Sequence, residues 1–382
     1  MPHSDRINLL LLTTGLGLGG AEVVVRDLAR ALDRDRFNVS ICCLTVLGPI
    51  GRELAAEGID ISVLGSPQKV DYLAGLKLRR FVRDKQIDVI HSHTTHALAD
   101  AGLCRVLSPG VRLVHTFHFG NYPHRPAREL WIERIASRLA DRLVAVGKVQ
   151  REQITSVFAL SDTAIEVIRN GVSLPKSRAG EPAFRQGLGA ASGILVGTIC
   201  TLIPQKGLFD LLAVARQVRD ARSDVQFVVV GEGMLRPELL KKRSELGLDD
   251  VVSFPGWMEN AAERALPTFD IYFQPSLWEA MSISILEAMV AAKPVVSTLV
   301  GEAPQFIEQD RDGQLFAPGD INAMSSAIVR LASDPDRRTR IGEAAAAKAT
   351  SQYTLDHAVR AHEDLYFGML PRRRREALRA AG

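Results

Sequence analysis

Short apolar runs alternate with segments of helical periodicity along nearly the whole chain. In Ala21–Leu32, for example, Val24, Leu28 and Leu32 fall on one helical face directly after an apolar run. Strands that alternate with helices of this length form a parallel sheet that is covered by helices on both faces. The alternation therefore predicts an α/β chain built from doubly wound parallel sheets.

The predicted strands fall into two groups. Those of the first half are Ile7–Thr13, Phe37–Leu44, Ile59–Leu64, Val89–His91, Arg112–Thr116, Arg142–Val146 and Ile165–Ile168. Those of the second half are Ile194–Ile199, Val225–Val230, Val251–Phe254, Ile271–Phe273 and Val295–Ser297. The helices predicted between the strands of the first half include Tyr72–Lys85, Ala97–Val106, Glu129–Leu139 and Val149–Phe158.

Two domains are expected for the 382 residues, because domains typically hold roughly 100–200 residues. We predict a first domain over 1–175, a linker rich in Gly, Ala, Pro and Ser over 173–192, and a second domain over 192–350. A C-terminal helix within 355–382 is expected to pack back onto the first domain. Open parallel sheets bind ligands at the carboxyl ends of their strands, so the active site is expected in a cleft between the two domains.

Composition and charge exclude several classes. The net charge of +3 gives no support for nucleic-acid binding, which usually needs a strongly basic face. The four cysteines lack the paired spacing of a zinc ribbon or a disulfide framework. Neither a signal peptide nor a membrane span is evident, so we expect a soluble, cytoplasmic protein. The arginine run Arg372–Arg375 is interpreted as a solvated, frayed terminus, with contact to anionic lipid as the alternative.

A glycine-rich turn follows the first predicted strand. Gly15, Gly17 and Gly20 satisfy the spacing of a dinucleotide fingerprint, and an NAD-dependent oxidoreductase is therefore one alternative. That class needs an acidic residue at the end of the second strand, where this chain has Leu44-Thr45. Amides at a glycine-rich helix N-terminus can still approach a phosphate or a sugar.

Histidines follow two of the predicted strands. They are His91 and His93 after one strand, and His115 and His118 at the end of the next. A metal site would need a carboxylate ligand, for which only Asp88 and Asp100 are nearby in sequence. A hydrogen-bonding role for these histidines is therefore favoured over metal binding.

Charged residues in the second half point to an anionic ligand. Lys206 precedes a predicted helix, where an ammonium and a helix N-terminus both favour an anion. Glu279 comes just before another predicted helix, and Glu287 lies within it among apolar residues. A carboxylate buried there needs hydrogen-bond donors, and ribose hydroxyls would supply them.

In their order and spacing, these motifs resemble those of the retaining GT-B glycosyltransferases of family 4, over nearly the whole chain. The motifs are Gly19-Gly20-Ala21-Glu22, Val89-Ile90-His91-Ser92-His93, His115-Thr116-Phe117-His118, Asn170-Gly171-Val172, Gln205-Lys206-Gly207, Gly231-Glu232-Gly233 and the pair Glu279 and Glu287. The resemblance implies two Rossmann-like domains and a nucleotide-sugar donor, with a UDP-sugar ahead of a GDP-sugar. It also implies transfer with retention and without a divalent metal or other cofactor.

The resemblance assigns roles to individual residues. The catalytic residues it implies are His118, Lys206 and Glu279. The donor-binding residues it implies are Gly19, Gly20, Thr201, Gly231, Ala280, Met281, Ser282, Ile283 and Glu287. On the acceptor side the candidates are His93 and Arg128, and the acceptor itself is expected to be a glycan or a lipid-linked sugar of cell-surface polysaccharide or lipopolysaccharide synthesis.

The chain departs from the family pattern at a few positions. Thr201 stands where family members usually carry an arginine, five residues before the motif lysine. Ala280, Ala292 and Glu302 stand where glycines are often found. A catalytically weakened sugar-nucleotide-binding protein is therefore a second alternative.

One stripe of the first half has two interpretations. Residues 101–150 hold eight basic and three acidic side chains. The apolar members of the stripe are Leu130, Trp131, Ile135, Leu139 and Leu143, with Arg128, Arg134 and Arg138 beside them. Core packing is favoured for this stripe, and contact with an anionic membrane is the alternative.

Overall fold

A computed structural model describes residues 5–65, 74–161, 163–175, 177, 179–188 and 193–381. The chain forms two compact units, one of residues Met1–Asn170 with Leu355–Gly382 and the other of residues Gly171–Thr354. The first unit therefore ends before the domain end predicted at 175. Within the predicted linker, positions 176, 178 and 189–192 lie outside the described residues.

The first unit is built on a seven-stranded parallel sheet with the strand order β3-β2-β1-β4-β5-β6-β7. Its strands are β1 Ile7–Gly15, β2 Phe37–Val46, β3 Asp60–Val63, β4 Val89–Ser92, β5 Arg112–Phe117, β6 Arg142–Ala145 and β7 Ile165–Val167. The helices between them are α1 Gly20–Ala31, α2 Gly48–Ala56, α3 Ala74–Asp84, α4 Thr95–Leu107, α5 Ala127–Ala136 and α6 Lys148–Phe158. The first two residues of the helix predicted over Tyr72–Lys85 lie outside the described residues.

The central strand β1 explains why the sheet is covered on both faces. Its alternate residues point to opposite sides, as in any strand. Leu9 and Leu11 enter one hydrophobic core, whereas Leu10 and Leu12 enter another. The four consecutive leucines Leu9–Leu12 are stable in a strand only when both faces are buried, which is the arrangement expected for a doubly wound sheet.

The second unit repeats this architecture with six parallel strands in the order β10-β9-β8-β11-β12-β13. Its strands are β8 Ile194–Ile199, β9 Val225–Val230, β10 Val252–Gly256, β11 Ile271–Gln274, β12 Val295–Thr298 and β13 Gln314–Phe316. Its helices are α7 Pro182–Gly187, α8 Leu208–Ala221, α9 Arg236–Glu245, α10 Ala261–Arg264, α11 Ile283–Val290, α12 Ala303–Phe306, α13 Ile321–Ser333 and α14 Pro335–Gln352. The predicted fold class of two doubly wound parallel-sheet domains is confirmed.

Each sheet has one place where the direction of winding reverses. In the first unit this place is the β1/β4 pair, and in the second unit it is the β8/β11 pair. The loops that follow the two strands of such a pair run to opposite faces of the sheet and leave a crevice at its carboxyl edge. Ligand-binding residues are therefore expected directly after β1 and β4, and directly after β8 and β11.

Two C-terminal helices, α15 Leu355–Met369 and α16 Arg372–Ala381, belong to the first unit. Glu363 accepts a hydrogen bond from Arg36 at 3.2 Å, and Arg374 donates to Asp88 at 2.7 Å. The Arg374 side chain is only 13% exposed. The expectation of a solvated, frayed terminus is therefore wrong at Arg374, because this arginine is held by an ion pair at the end of the sheet. No helix within the described ranges is both long and apolar enough to cross a bilayer.

The predicted apolar stripe runs over α5, the turn after it and β6, and it divides between core and surface. Leu143 is buried and Leu130 packs against a core cluster, as expected for core residues. Trp131, by contrast, is 65% exposed, and Ile135 and Leu139 are also exposed. The interpretation of the stripe as core is therefore wrong for three of its five members, because helical periodicity identifies an apolar stripe without showing whether another element covers it.

One departure from the family pattern, Ala292, is expected to lower stability. Ala292, which follows α11, adopts a φ of +56°, in the left-handed region where a side chain is unfavourable. We expect Ala292→Gly to raise the free energy of unfolding by about 0.5–1 kcal/mol, measured by urea denaturation. The neighbouring Ala291, with a φ of −80°, provides the control. Ala291→Gly should lower the free energy of unfolding, and equal effects of the two variants would contradict the argument.

Candidate active site

The loops after β8 and β11 bring Lys206 and Glu279 together. Lys206 ends the short 3-10 turn Pro204–Lys206 after β8, and Glu279 lies shortly after the end of β11. A backbone bond of 2.8 Å from the Leu277 amide to the Gln205 carbonyl joins the two loops. The Lys206 Nζ lies 2.5 Å from Glu279 Oε1, and both side chains are largely buried. The two residues therefore form an ion pair at the winding reversal of the second sheet.

Neutral donors complete the environment of the Glu279 carboxylate. Oε1 accepts hydrogen bonds from Ser276 Oγ at 2.8 Å and from Gln274 Nε2 at 3.1 Å. Oε2 accepts one from Gln205 Nε2 at 3.0 Å. Burying a carboxylate is expensive unless charged and polar partners replace its water. Glu279 has four such partners in this structure, so its position is fixed before any ligand binds.

The same network reaches the N-terminus of α11. Ser282 caps this helix by accepting from the Ile285 amide, and its hydroxyl also bonds to Gln274. Tyr272 and Ser284 donate to Gln274 Oε1 at 3.0 and 2.8 Å. A helix N-terminus carries partial positive charge. The turn from Ala280 to Ile283 therefore places this positive helix end close to the Lys206 ammonium.

Two glycines of the predicted motifs are required by the backbone. Gly207 has a φ of +61°, and a Cβ at this position would lie 1.9 Å from the Pro275 carbonyl oxygen. Gly231 has a φ of +146°, and its Cβ would lie 1.9 Å from the carbonyl oxygen of Cys200. No side chain fits at either distance. The glycines let the loops after β8, β9 and β11 approach each other closely at one edge of the sheet.

The remaining predicted donor residues lie at this edge or next to it. Glu287 is half-buried on α11, one helical turn beyond the cap, and is less buried than its apolar neighbours suggest. Thr201 directly follows the loop residue Cys200 after β8. Glu302 is 1% exposed, and its amide donates to the Ala280 carbonyl at 2.9 Å. The Glu302 backbone therefore lies beside the Glu279–Ala280 loop, and the Glu302 residue is buried there.

In the first unit, the predicted histidines form one cluster, in which His91, His93 and His115 are buried and His118 is half-buried. His93 Nδ1 and His118 Nε2 are 3.1 Å apart, and their rings stack with a centroid distance of 5.3 Å. The ring centroids of His91 and His93 are 4.0 Å apart. His115 Nδ1 lies 2.9 Å from the Ser92 hydroxyl. Because Nε2 of His118 is engaged by His93, Nδ1 is the ring nitrogen of His118 that remains for a ligand.

Two members of this cluster were not predicted from the sequence. Helix α15 contributes Tyr366, whose hydroxyl lies 2.7 Å from His91 Nδ1, and His362, whose ring centroid lies 5.5 Å from that of His91. His362 Nδ1 donates to the Ala358 carbonyl at 2.7 Å. The spacing of four between His362 and Tyr366 puts both on one helical face. The C-terminal helix was expected on the first domain, and this spacing is the signal that could have placed both residues on its inward face.

Burial keeps these histidines neutral. It lowers the pKa of His115 and of His118 to about 3 and that of His362 to about 4. The pKa values of His91 and His93 are also well below the ordinary value, first because of burial and then because of the neighbouring histidines. Among the described residues, no group of histidines, cysteines and carboxylates is arranged to hold a metal ion. The cluster can therefore donate and accept hydrogen bonds as neutral imidazoles.

The glycine-rich loop after β1 differs from the expected open anion site. Gly19 caps α1, and the carboxylate of Glu22 accepts hydrogen bonds from the Gly19 amide and from its own amide. Burial raises the pKa of Glu22 despite these bonds. The Gly19 amide is thus already engaged within the chain. Arg128, the other acceptor-side candidate, is exposed on α5.

Comparisons with known proteins cover both halves of the chain. Residues 193–334 match the model of the family described as Glycosyl transferases group 1. Residues 18–175 match the model of the family described as Glycosyltransferase Family 4. The two matched segments contain all the residues that the resemblance singled out as catalytic.

Individual relatives and structures agree with these matches. The UDP-Gal:alpha-D-GlcNAc-diphosphoundecaprenol alpha-1,3-galactosyltransferase of Escherichia coli is 24% identical over 336 residues, covering 83% of this chain and 86% of that protein. The Alpha-D-kanosaminyltransferase of Streptomyces kanamyceticus is 27% identical, covering 85% and 87%. The crystal structure of Anabaena HepE in complex with UDP-glucose aligns with a TM-score of 0.84 at 23% identity, covering 95% of this chain and 100% of that one.

Proposed function

Because this chain belongs to the GT-B glycosyltransferases of family 4, we propose that it transfers a sugar from a nucleoside diphosphate sugar to a glycan or lipid-linked acceptor. A UDP-sugar is the preferred donor and a GDP-sugar the next choice. UDP-glucose is bound in the similar HepE structure, and UDP-Gal is part of the name of the E. coli relative. The family match removes the support for an NAD-dependent oxidoreductase, which rested on the glycine spacing alone.

The ion pair of Lys206 and Glu279 is the observation that carries this proposal. Breaking the bond between sugar C1 and the phosphate oxygen leaves negative charge on a nucleoside diphosphate. A fixed ammonium and a helix N-terminus stabilise such charge best in a partly buried site. Lys206 and the first turn of α11 provide both groups at the winding reversal of the second sheet. The diphosphate is therefore proposed to bind there and to share Lys206 with Glu279.

Glu279 and Glu287 are proposed to hold the sugar and the ribose. Both are on the α11 side of this edge, and hydroxyl groups are the donors that a carboxylate accepts from in a carbohydrate. Glu279 has four donors from the protein and is kept in one orientation by them. Such a fixed carboxylate can discriminate between sugars by the direction of their hydroxyls.

We propose transfer with retention, in which the acceptor attacks C1 from the same face of the sugar that the leaving group departs from. His91 bonds to Thr116 and Tyr366, and His93 Nδ1 bonds to His118 Nε2, so among the described residues these hydrogen-bond partners include no carboxylate that could act as nucleophile. In the proposed step the acceptor oxygen bonds to C1 as the bond from C1 to the phosphate oxygen breaks. The departing phosphate oxygen takes the acceptor proton. His118 would then donate a hydrogen bond without carrying charge, and no divalent metal is required.

The proposed acceptor is a sugar of a cell-surface polysaccharide or lipopolysaccharide precursor, and the proposed location is the cytoplasm. The name of the E. coli relative includes a diphosphoundecaprenol-linked GlcNAc, which supports a lipid-linked acceptor. A weakened sugar-nucleotide-binding protein remains the second candidate. It is favoured by the burial of Glu302 beside the Glu279–Ala280 loop, where its charge would oppose a bound diphosphate.

Nucleotide binding tests the donor assignment. We expect UDP to raise the melting temperature more than GDP or ADP, because a ligand that binds the folded state stabilises it by about 3 kcal/mol at 100 times its Kd. EDTA should not reduce the effect. In Lys206→Met the rise should largely disappear, whereas Lys241→Met, which alters an exposed lysine of the same unit, should keep it. If none of the three nucleotides shifts the melting temperature, the proposed donor site is wrong.

A further inference from the structure

The outer surface of α3, α4 and α5 is unusually apolar for an exposed helical layer. Its exposed large apolar side chains are Leu76, Leu103, Val106, Leu107, Trp131, Ile135 and Leu139, which we call the apolar face. The opposite sides of the same helices are buried against one face of the first sheet through Leu78, Leu98 and Ala136. The apolar face therefore points away from the core, and packing within the unit does not explain it.

The members of the apolar face are neighbours in space. A Cβ on Gly75 of α3 would lie 2.8 Å from a Leu103 methyl, and a Cβ on Gly102 of α4 would lie 2.9 Å from a Leu139 methyl. Leu103 and Leu139 thus bridge adjacent helices. Trp131, Ile135 and Leu139 follow at intervals of four along α5 and the 3-10 turn Ser137–Leu139, so they continue the same surface. A contiguous exposed apolar patch of this kind marks an interaction surface.

The charge around the apolar face is strongly positive. The acidic residues of 101–150 are all paired with arginines: Glu133 and the exposed Glu129 each lie 3.4 Å from Arg125, and Asp141 bonds to Arg105 at 2.9 Å. Arg128, Arg134 and Arg138 are exposed beside Trp131 in sequence, and within the residues that the structure describes they have no carboxylate partner. Three uncompensated arginines therefore flank the apolar face on α5 and the turn that follows it.

We propose that the apolar face docks this protein on the surface of an anionic lipid bilayer. A tryptophan with aliphatic neighbours inserts into the interfacial region of a bilayer, and arginines beside it contact anionic headgroups. Each basic residue near such a surface contributes about 1 kcal/mol. A second copy of the chain is a poorer occupant, because a two-fold interface would bring the same arginines of both copies together. Docking would hold the first unit where a lipid-linked acceptor is found, and only that consequence rests on the proposed function.

Vesicle binding tests this proposal without donor or acceptor. The protein is sedimented with vesicles of phosphatidylcholine that contain about one third phosphatidylglycerol, and with vesicles of phosphatidylcholine alone. We expect binding to the anionic vesicles that weakens as salt is raised. The triple variant Arg128→Ser, Arg134→Ser, Arg138→Ser should lose about 100-fold in affinity, on the basis of about 1 kcal/mol for each arginine.

Tryptophan variants distinguish vesicle binding through the apolar face from binding through any exposed apolar side chain. Trp131→Asp should lower vesicle affinity at least about tenfold. Trp257→Asp, at a tryptophan of the second unit that is 49% exposed, should bind as wild type does. Absence of binding to anionic vesicles, equal losses for both tryptophan variants, or a dimer in solution that Trp131→Asp dissociates would each overturn the proposal. The UDP-dependent rise in melting temperature should be unchanged in Trp131→Asp, so failure here is distinguishable from failure of the donor assignment.

Discussion

Lys206→Met is expected to lower the rate of nucleotide release from the donor sugar by about 100- to 1000-fold. The variant keeps the length of the side chain and removes the ammonium, which lies 2.5 Å from Glu279 and is buried with it. Without it, the departing diphosphate keeps only the N-terminus of α11 as positive partner. The rate is measured as nucleotide released with time at saturating donor, and Lys241→Met serves as the exposed control.

A double variant separates catalysis from structure. Lys206→Met alone leaves the Glu279 carboxylate with its neutral partners Gln205, Gln274 and Ser276, so its melting temperature should fall. Adding Glu279→Gln removes the uncompensated charge and should recover part of the melting temperature, while nucleotide release stays low. If Lys206→Met retains more than about a tenth of the wild-type rate, Lys206 does not stabilise the leaving group in the way proposed.

Acid should destabilise the first unit steeply, through its buried histidines. In the unfolded chain a histidine binds a proton near pH 6.5. In the folded protein burial lowers the pKa of His115 to about 3 and that of His362 to about 4. Below pH 6.5 the unfolded state therefore binds more protons than the folded state. The free energy of unfolding should fall by about 1.4 kcal/mol per pH unit for each such histidine, from about pH 6.5 down to its folded pKa.

Asparagine variants test this linkage at single positions. Asparagine retains a donor near the position of Nδ1, the nitrogen by which His362 bonds to the Ala358 carbonyl. Urea denaturation from about pH 6 to about pH 5 should show a slope smaller by about 1.4 kcal/mol per pH unit in His362→Asn than in wild type. His124→Asn alters an exposed histidine and should leave the slope unchanged. Equal slopes in His362→Asn and wild type would show that His362 is not held neutral by burial.

The ion pair shows what sequence could and could not predict about the site. Lys206 and Glu279 were each singled out by their motifs, because a lysine before a helix and a glutamate before a helix suit an anionic sugar nucleotide. Their direct contact was not predicted. It depends on β8 lying next to β11 in the sheet, and strand order is not contained in the local periodicity that identifies strands.

The histidine cluster and the apolar face show a similar limit. The histidines after β4 and β5 were placed at strand ends by the alternation of strands and helices. His362 and Tyr366 were missed because the sequence predicted that their helix packs on the first domain but not which of its residues would face the histidines. The apolar stripe beginning on α5 was identified from the sequence, but whether it faces the core or the surface was not. Helical periodicity is the same in both cases. Sequence patterns therefore identified individual residues but could not predict contacts between residues that are far apart in the chain.

The most direct test of the proposed activity follows the reacting carbon itself. UDP-, GDP- and ADP-sugars labelled with carbon-13 at C1 are incubated in EDTA with the protein and a bacterial lipid extract, and NMR records both nucleotide release and the configuration at C1. We predict release from a UDP-sugar, a new product with C1 in the configuration of the donor, and loss of both in Lys206→Met. Intact donors in every reaction, or a product with inverted C1, would contradict the account.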